Sequence, residues 1–253
     1  MKLPGNVSVL GCGGRMLVVI PGLSVTKVGG DPAALKNAFR PFLEDFTVYF
    51  VDRRDSVPEG CTSRDLAQMV YEDLSALLPF KADVIGVSQG AMMAQWLAAD
   101  HPEAVRKLVL AATLCRRNAV LEESMTTWIR LASEKRYAEL NRDMFGRIYS
   151  PAFREANARA LEYAEKTMVP DSDERFIRLA RACLEHDSVE ALKLISCPVL
   201  VAGSRSDAVL SYAGSEEIAA ALGCYLVTYE GYGHAFYDEN TEFYRSAYLF
   251  LIG

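Results

Sequence analysis

The stretch Gly86-Val87-Ser88-Gln89-Gly90 decides the fold of this chain. It follows the short run Asp83-Val84-Ile85 and precedes a helix-forming run at residues 91–99. A strand, a sharp turn centred on serine and a helix are the context that a nucleophile elbow requires. The two glycines lack a Cβ and so tolerate the crowding of a strained turn. The pattern therefore predicts that Ser88 is a nucleophile, although ordinary strand-to-helix connections also contain such residues.

A serine hydroxyl needs a base to become a good nucleophile, and that base needs an orienting acid. The chain contains three histidines. His101 lies at a helix end, and His186 ends another predicted helix, whereas His234 lies in a glycine-rich loop directly after a predicted strand. Catalytic groups of open α/β sheets come from loops at the carboxyl ends of the strands. His234 is therefore the predicted base, and the alternative is a loop histidine bonded to nearby backbone.

The orienting acid is expected after a strand, between Ser88 and His234 in the chain. Asp207 meets this condition. Four other acids fit less well, because two fall in predicted helices and two flank His234 and break the order: Asp171, Asp187, Glu230 and Asp238. The sequence therefore predicts Asp207 as the third catalytic residue.

Two backbone N–H groups are expected to stabilise an oxyanion beside Ser88. One belongs to Gln89, which follows the nucleophile and opens the next helix. The other should come from the loop after the strand at residues 16–20. Leu23 is the predicted donor in that loop, and Ser24 is the alternative.

Continuously apolar runs alternate with helix-forming runs over most of the chain. The predicted strands are residues 7–10, 16–20, 47–51, 83–85, 107–112, 198–203 and 225–229. The predicted helices around them are one that opens at Asp31-Pro32 and those at residues 63–78, 91–99, 216–222 and 241–252. Apolar strands that alternate with helices are typical of a parallel sheet covered on both faces.

Residues 115–194 interrupt this alternation, because they contain three predicted helices and no predicted strand. These helices are residues 122–142, 152–167 and 173–186. We expect this segment to be a helical lid, with residues 1–114 and 195–253 forming the α/β core. Four lid side chains could line the site or only pack the lid onto the core: Met125, Trp128, Met144 and Phe145. Trp128 is the predicted substrate contact among them.

The composition is that of a globular protein, with 51% hydrophobic residues and a net charge of −6. The negative charge argues against a nucleic-acid or anionic-membrane partner. The six cysteines form no CxxC pair or zinc spacing, so we expect free cysteines and no metal. The N-terminus lacks the apolar run of a signal peptide, and no stretch approaches the ~20 apolar residues of a membrane span. These features predict a cytoplasmic protein.

Five motifs together resemble the α/β-hydrolase superfamily, and within it the small, lidded esterase and lactonase-like group. They are Pro21-Gly22-Leu23, the Ser88 elbow, His101-Pro102-Glu103, residues 197–203 with Asp207, and Gly233-His234. The resemblance covers nearly the whole chain. It implies an eight-stranded, mostly parallel sheet flanked by helices, a helical lid inserted after the sixth strand, a Ser-His-Asp triad and no cofactor.

Three departures from the family pattern are present: the first two leave the substrate class open, and the third bears on the assignment of Asp207 as the acid. Pro21 stands where many relatives have histidine, and Arg53-Arg54-Asp55 replaces the usual Arg-Gly-His-Gly. Asp207 lies about one residue further from Gly203 than the family pattern has it. Because Arg53 and Arg54 follow a strand on the catalytic side, either one could bind an acidic substrate group bidentately. The alternative is a salt bridge to Asp52, Asp55 or Glu59.

The sequence thus predicts a serine carboxylesterase that cleaves small to medium acyl groups from a small-molecule ester or lactone. Enol-lactone hydrolysis, carbon–carbon bond hydrolysis and acyl transfer use the same residues and remain alternatives. A low-turnover ligand-binding protein on the same fold is an alternative from another class. A homodimer is possible.

Overall fold

The computed structural model describes residues 3–27, 32–75 and 81–253. The predicted helix start at Asp31 and the predicted end of the second helix at residue 78 lie outside these ranges. The described residues contain a seven-stranded sheet in the order β1-β3-β2-β4-β5-β6-β7. Its strands are β1 (Val7–Leu10), β2 (Arg15–Ile20), β3 (Phe46–Val51), β4 (Ala82–Val87), β5 (Val105–Ala111), β6 (Val199–Ser204) and β7 (Tyr225–Tyr229).

All neighbouring strands run parallel except β1, which pairs antiparallel with β3 at one edge of the sheet. Every residue of β4 is buried, as expected for a central strand with both faces covered. Successive side chains point to opposite faces, so Val84 packs in one hydrophobic cluster and Ile85 in the other. In register, Ile85 lies between Val19 of β2 and Val109 of β5.

Helices cover both faces of the sheet. Those outside the segment between β5 and β6 are α1 (Pro32–Ala38), α2 (Ser63–Ser75), α3 (Gln89–Asp100), α10 (Tyr212–Leu222), α11 (Phe236–Glu239) and α12 (Glu242–Ile252). On one face, α2 contributes Leu66 and Leu74 to the core, and α3 contributes Leu97. On the other, α12 contributes Phe243 and Leu251. The predicted α/β architecture, a mostly parallel sheet flanked by helices, is therefore confirmed.

Six helices lie between β5 and β6: α4 (Ala119–Ser133), α5 (Tyr137–Ile148), α6 (Pro151–Ala156), α7 (Ala158–Thr167), α8 (Asp173–Leu184) and α9 (Val189–Leu192). The prediction of a single helix at residues 122–142 is wrong. The helix is interrupted between α4 and α5, where Lys135 adopts a φ of 56°. The helix predicted at residues 152–167 is likewise two helices that meet at Asn157. Propensity alone does not reveal such breaks, because neither contains proline or glycine.

The strand count differs from the one that the family resemblance implies. The described residues contain seven strands rather than eight, and five of them precede the helical segment. The helices therefore follow the fifth strand of the described sheet and not the sixth, since β1 is its edge and no described strand precedes it. All six cysteines are free.

Candidate active site

Ser88 lies at the sharp turn between β4 and α3. Its φ of 54° and ψ of −120° are an unusual conformation for a residue with a side chain. The flanking glycines make this turn possible. A Cβ at Gly86 would lie 2.6 Å from the Cα of Ala91, and one at Gly90 would lie 2.0 Å from the carbonyl oxygen of Ile20. The turn therefore requires glycine at both positions, as the sequence pattern predicts.

His234 lies between Ser88 and Asp207 in a continuous chain of hydrogen bonds. Its Nε2 is 2.9 Å from the Oγ of Ser88, and its Nδ1 is 2.8 Å from the Oδ2 of Asp207. The second carboxylate oxygen of Asp207 accepts from the backbone N–H groups of Val209 and Leu210, both at 2.9 Å. The structure thus brings together the three residues that the sequence selects as a candidate triad.

The electrostatic environment of the three hydrogen-bonded residues favours an ionised Asp207. Ser88, Asp207 and His234 are all buried. Burial acts to raise the pKa of Asp207, but His234 and the backbone donors outweigh it, so that this pKa lies below its usual value. An ionised Asp207 accepts a hydrogen bond from the Nδ1–H group of His234, which leaves Nε2 without a proton and able to accept a hydrogen bond from the Ser88 hydroxyl.

The loop after β2 passes directly beside the nucleophile. A Cβ at Gly22 would lie 3.1 Å from the Cβ of Ser88 and 3.6 Å from its Oγ. Neither Leu23 nor Gln89 uses its backbone N–H in a hydrogen bond to another described residue. Both groups thus remain available as the predicted oxyanion donors, whereas Ser24 lies further along the loop.

Two cavities meet at this loop. A small one, about 30 Å³ in volume, is lined by Ser88, His234 and Trp128 among others. A larger one, about 640 Å³, extends along the loop towards α5 and α7. Gly22, Leu23, Ile148 and Tyr237 line both cavities.

The four side chains of the helical segment that the sequence analysis selected divide between these cavities. Met125 and Trp128 line the smaller cavity, and Met144 and Phe145 line the larger one. Trp128 is also a core residue, 2% exposed, and donates from Nε1 to Asp143 Oδ1 at 2.8 Å. Both interpretations of Trp128, as cavity wall and as packing residue, are thus compatible with its position.

Arg53 and Arg54 do not line either cavity. Arg53 is buried and donates from Nη1 to the carbonyl oxygen of Pro21 at 2.6 Å and from Nη2 to that of Gly22 at 2.7 Å. Its Nε lies 3.3 Å from Asp52. The expectation that Arg53 binds an acidic substrate group therefore finds no support, because its guanidinium is engaged by the protein.

Arg54 pairs with acids of α2. Its Nη2 lies 2.6 Å from Asp73 Oδ1 and 3.1 Å from Glu72 Oε2. Both arginines form salt bridges within the protein, as the sequence-based alternative predicts. Of the predicted partners, Asp52 pairs with Arg53. Asp55 pairs with Lys27 instead.

Two residues that the sequence analysis did not select support the site, Arg175 from α8 of the helical segment and Glu239 from α11. Arg175 of α8 donates to the carbonyl oxygens of Arg53 at 2.9 Å and Arg54 at 3.1 Å. Glu239 accepts from the backbone N–H groups of Gly233 at 3.0 Å and Ser150 at 2.9 Å. In the sequence, only the position of Glu239 five residues after His234 could have indicated such a role, because the burial of Arg175 is visible only in the fold.

The other candidate histidines and acids lie outside the hydrogen-bonded chain. His186 is buried between Ser63 and Ser188, and burial lowers its pKa to about 4. His101 stacks on Tyr71. Asp171 accepts from the backbone of Lys27, Asp187 from that of Val189, and Glu230 pairs with Arg205, whereas Asp238 lines the larger cavity. Among the described side chains, no group of three His, Cys, Asp or Glu residues could hold a metal ion.

Comparison with known proteins identifies the family. A family model described as the alpha/beta hydrolase fold matches residues 35–241. The chain therefore belongs to the α/β-hydrolase fold family, a family of hydrolases. Within the described ranges, no helix is long and apolar enough to cross a membrane.

The similar proteins carry several activities in their names. The chain is 31% identical over 147 residues to a poly(3-hydroxyalkanoate) depolymerase of Ectopseudomonas oleovorans. This alignment covers 57% of this chain and 51% of that protein. It is 25% identical over 176 residues to 3-oxoadipate enol-lactonase 2 of Acinetobacter baylyi, covering 66% and 65%. The chain thus spans about half the length of the first relative and just under two thirds of the second.

A solved enol-lactonase from Burkholderia xenovorans has the same fold. Its TM-score is 0.84 at 18% identity, with 98% of this chain and 96% of that chain covered. At 18% identity, this similarity supports the fold and is not evidence for the substrate.

Proposed function

We propose that this protein is a serine hydrolase that cleaves carboxylic esters through an acyl-enzyme on Ser88. The observation that carries the proposal is the hydrogen-bonded chain from Ser88 through His234 to Asp207. A nucleophile, a base and an orienting acid in this order are the arrangement that activates serine in unrelated hydrolases. The strained turn at Ser88 supports the same conclusion, because strain of this kind is retained mainly at functional sites.

The reaction begins when the Oγ of Ser88 attacks the ester carbonyl carbon. His234 Nε2 takes the hydroxyl proton, and Asp207 stabilises the resulting imidazolium through Nδ1. The N–H groups of Leu23 and Gln89 stabilise the negative charge on the carbonyl oxygen. The bond between the carbonyl carbon and the alcohol oxygen then breaks, His234 gives its proton to the departing alcohol oxygen, and the acyl group remains on Ser88.

Hydrolysis of the acyl-enzyme repeats these steps with water as the nucleophile. His234 removes a proton from water, and the oxyanion forms again beside the same two donors. Return of the proton to Ser88 Oγ releases the carboxylic acid and restores the free enzyme.

Residues 115–194 act as a lid in this proposal. Side chains of α4 line the smaller cavity, and side chains of α5 and α7 line the larger one. A mainly apolar cavity of about 640 Å³ suits small to medium organic groups. The likeness to an enol-lactonase favours lactone hydrolysis as the second candidate, since the same residues open a cyclic ester.

The test is hydrolysis of matched nitrophenyl esters, small lactones and the corresponding amides, with Ser88→Ala beside the wild type. The proposal expects ester or lactone turnover that falls at least a thousandfold in Ser88→Ala. Equal rates for the two proteins would refute a role for Ser88. Binding of these compounds without turnover by the wild type would favour a ligand-binding protein.

A further inference from the structure

The larger cavity has one charged group on its described wall. Most of the wall is apolar or aromatic, including Leu35, Phe39, Phe145, Leu161 and Met168. Asp238 is the only charged side chain among the described residues that line it. An ionisable group on an apolar wall is energetically costly unless it is hydrogen-bonded or paired. Asp238 is therefore the one charged point at which the described wall could bind a polar substrate group.

The backbone that carries Asp238 is held firmly in place. Asp238 lies in α11, four residues after His234, and its N–H donates to the carbonyl oxygen of Ala235 at 2.8 Å. The next residue, Glu239, binds the backbone of Gly233 and Ser150 as described above. Asp238 thus has a fixed position relative to the candidate base and to the start of α6.

The Asp238 carboxylate retains capacity for another donor. It is hydrogen-bonded to the Tyr149 hydroxyl, which also lines the cavity. Burial raises the pKa of Asp238 to about 6, with a further contribution from Glu239, so the group is mostly ionised at neutral pH. An ionised carboxylate accepts at about four sites, so one tyrosine does not saturate it. The residue is nevertheless exposed, and the surface that it exposes includes the cavity wall.

We propose that Asp238 is a specificity-determining residue that selects esters with a hydrogen-bond donor, a hydroxyl or an ammonium group, on an otherwise apolar chain. The inference rests on the proposed hydrolase function and concerns the part of the substrate remote from the reacting carbonyl. Gly22, Leu23, Ile148 and Tyr237 are shared by both cavities, so a chain bound at Ser88 has a continuous wall to follow.

The same geometry disfavours two other substrate groups. A chain that ends in a methyl group would remove water from the carboxylate without replacing its hydrogen bond. A chain that ends in a carboxylate would bring two negative charges close together at Asp238. Donor-bearing chains avoid both costs.

The test compares matched nitrophenyl esters whose acyl chains end in a methyl, hydroxyl, ammonium or carboxylate group, at several chain lengths. A second series carries these groups on the alcohol side. The ratio of kcat/KM between donor-ended and methyl-ended esters is measured for wild type, Asp238→Asn and Asp238→Leu. Asp55→Asn is the control, because it removes the same charge from an exposed site outside the cavity.

We expect wild type and Asp55→Asn to prefer donor-ended esters by about tenfold or more in at least one series. Asp238→Leu should lose that preference, and Asp238→Asn should keep the hydroxyl preference, lose the ammonium preference and accept the carboxylate-ended ester. If Asp238→Leu does not fold, the preference of Asp238→Asn for the ammonium-ended ester over the methyl-ended ester tests the inference, and we expect that preference to be lost.

Absence of a donor preference in wild type, or its survival in Asp238→Leu, overturns the inference. Ester turnover without such discrimination removes only the role of Asp238. Absence of all ester turnover by the wild type removes the proposed function and the inference together, so the two failures are distinguishable.

Discussion

Arg53 Nη2 lies 2.7 Å from the carbonyl oxygen of Gly22, the residue directly before the proposed oxyanion donor Leu23. The other terminal nitrogen of the same guanidinium holds the carbonyl oxygen of Pro21 at 2.6 Å. A planar group that donates to two successive carbonyls fixes the direction of the peptide that follows. The loop beside Ser88 thus depends on a buried arginine from the end of β3.

Replacing Arg53 with lysine should lower kcat for ester hydrolysis by about tenfold or more, with KM changed far less. Lysine keeps the charge but cannot hold both carbonyls in one plane, and complete loss of one oxyanion donor costs ~2.7–4 kcal/mol in transition-state stabilisation. Steady-state kinetics on neutral and carboxylate-bearing esters checks this expectation. Because Arg53 positions the loop, both ester classes should be affected equally.

Arg54→Lys is the matched control, since Arg54 pairs with Asp73 and Glu72 away from the cavities. Its kcat should stay within about twofold of wild type, because Arg54 lines neither cavity and lysine keeps the positive charge beside Asp73 and Glu72. A rise in KM confined to carboxylate-bearing esters in Arg53→Lys would instead support direct substrate binding and contradict the positioning role.

Asp207→Asn should reduce kcat by about a thousandfold or more while the protein stays folded. The amide is nearly isosteric, but it no longer stabilises the His234 cation and favours the wrong imidazole tautomer. Asp187→Asn serves as the control because Asp187 is exposed and lies outside the triad. Activity of Asp207→Asn close to that of wild type would exclude Asp207 as the orienting acid.

Alanine at Gly90 or Gly86 should destabilise the protein by several kcal/mol or prevent folding. The new Cβ would overlap backbone atoms at 2.0 and 2.6 Å, respectively, and backbone in a central sheet cannot easily move. Gly146→Ala is the matched control, because a Cβ there meets nothing within 4 Å and the residue lies within α5. Thermal unfolding should show Gly146→Ala to be as stable as wild type or more so. A wild-type Tm in Gly90→Ala would contradict the steric explanation.

The buried His186 should make stability depend on pH. Its folded pKa is about 4, below its ordinary value of 6.5. The unfolded chain therefore binds a proton between these values and the folded protein does not. The contribution of neutral His186 to the free energy of unfolding is fully present above about pH 6.5. It decreases as the pH falls towards 4, by an amount on the order of 3 kcal/mol.

Urea unfolding at a series of pH values measures this slope. A His186→Gln variant should lose much of the pH dependence between about pH 6.5 and pH 4, whereas His101→Gln should retain it. Parallel pH profiles for wild type and His186→Gln would show that other groups cause the dependence.

The sequence predicts the strands and the elbow well because their causes are local. Apolar runs with two covered faces define β2, β4 and β6, and the glycines around Ser88 mark the turn. The breaks at Lys135 and Asn157 escape prediction because tertiary packing and not local propensity decides them. The spatial order of the strands depends on contacts between residues distant in the chain.

The candidate triad is predictable because chain order and strand ends restrict the choice to a few residues. The roles of Arg53 and Asp238 are not predictable in this way. An arginine after a strand looks the same in sequence whether it faces a substrate or two backbone carbonyls, and only the fold distinguishes them. In the sequence, only its position near His234 distinguishes Asp238 from other acids, and the cavity that it lines is formed by elements far apart in the chain.

The most direct test of the central claim is the reaction of the protein with a fluorophosphonate, followed by intact-protein and peptide mass spectrometry. An activated serine attacks this reagent, whereas an ordinary surface serine does not. We predict one adduct, located on Ser88 and absent from Ser88→Ala. No adduct, or an adduct on another residue of the wild type, would contradict the assignment of Ser88 as the activated nucleophile.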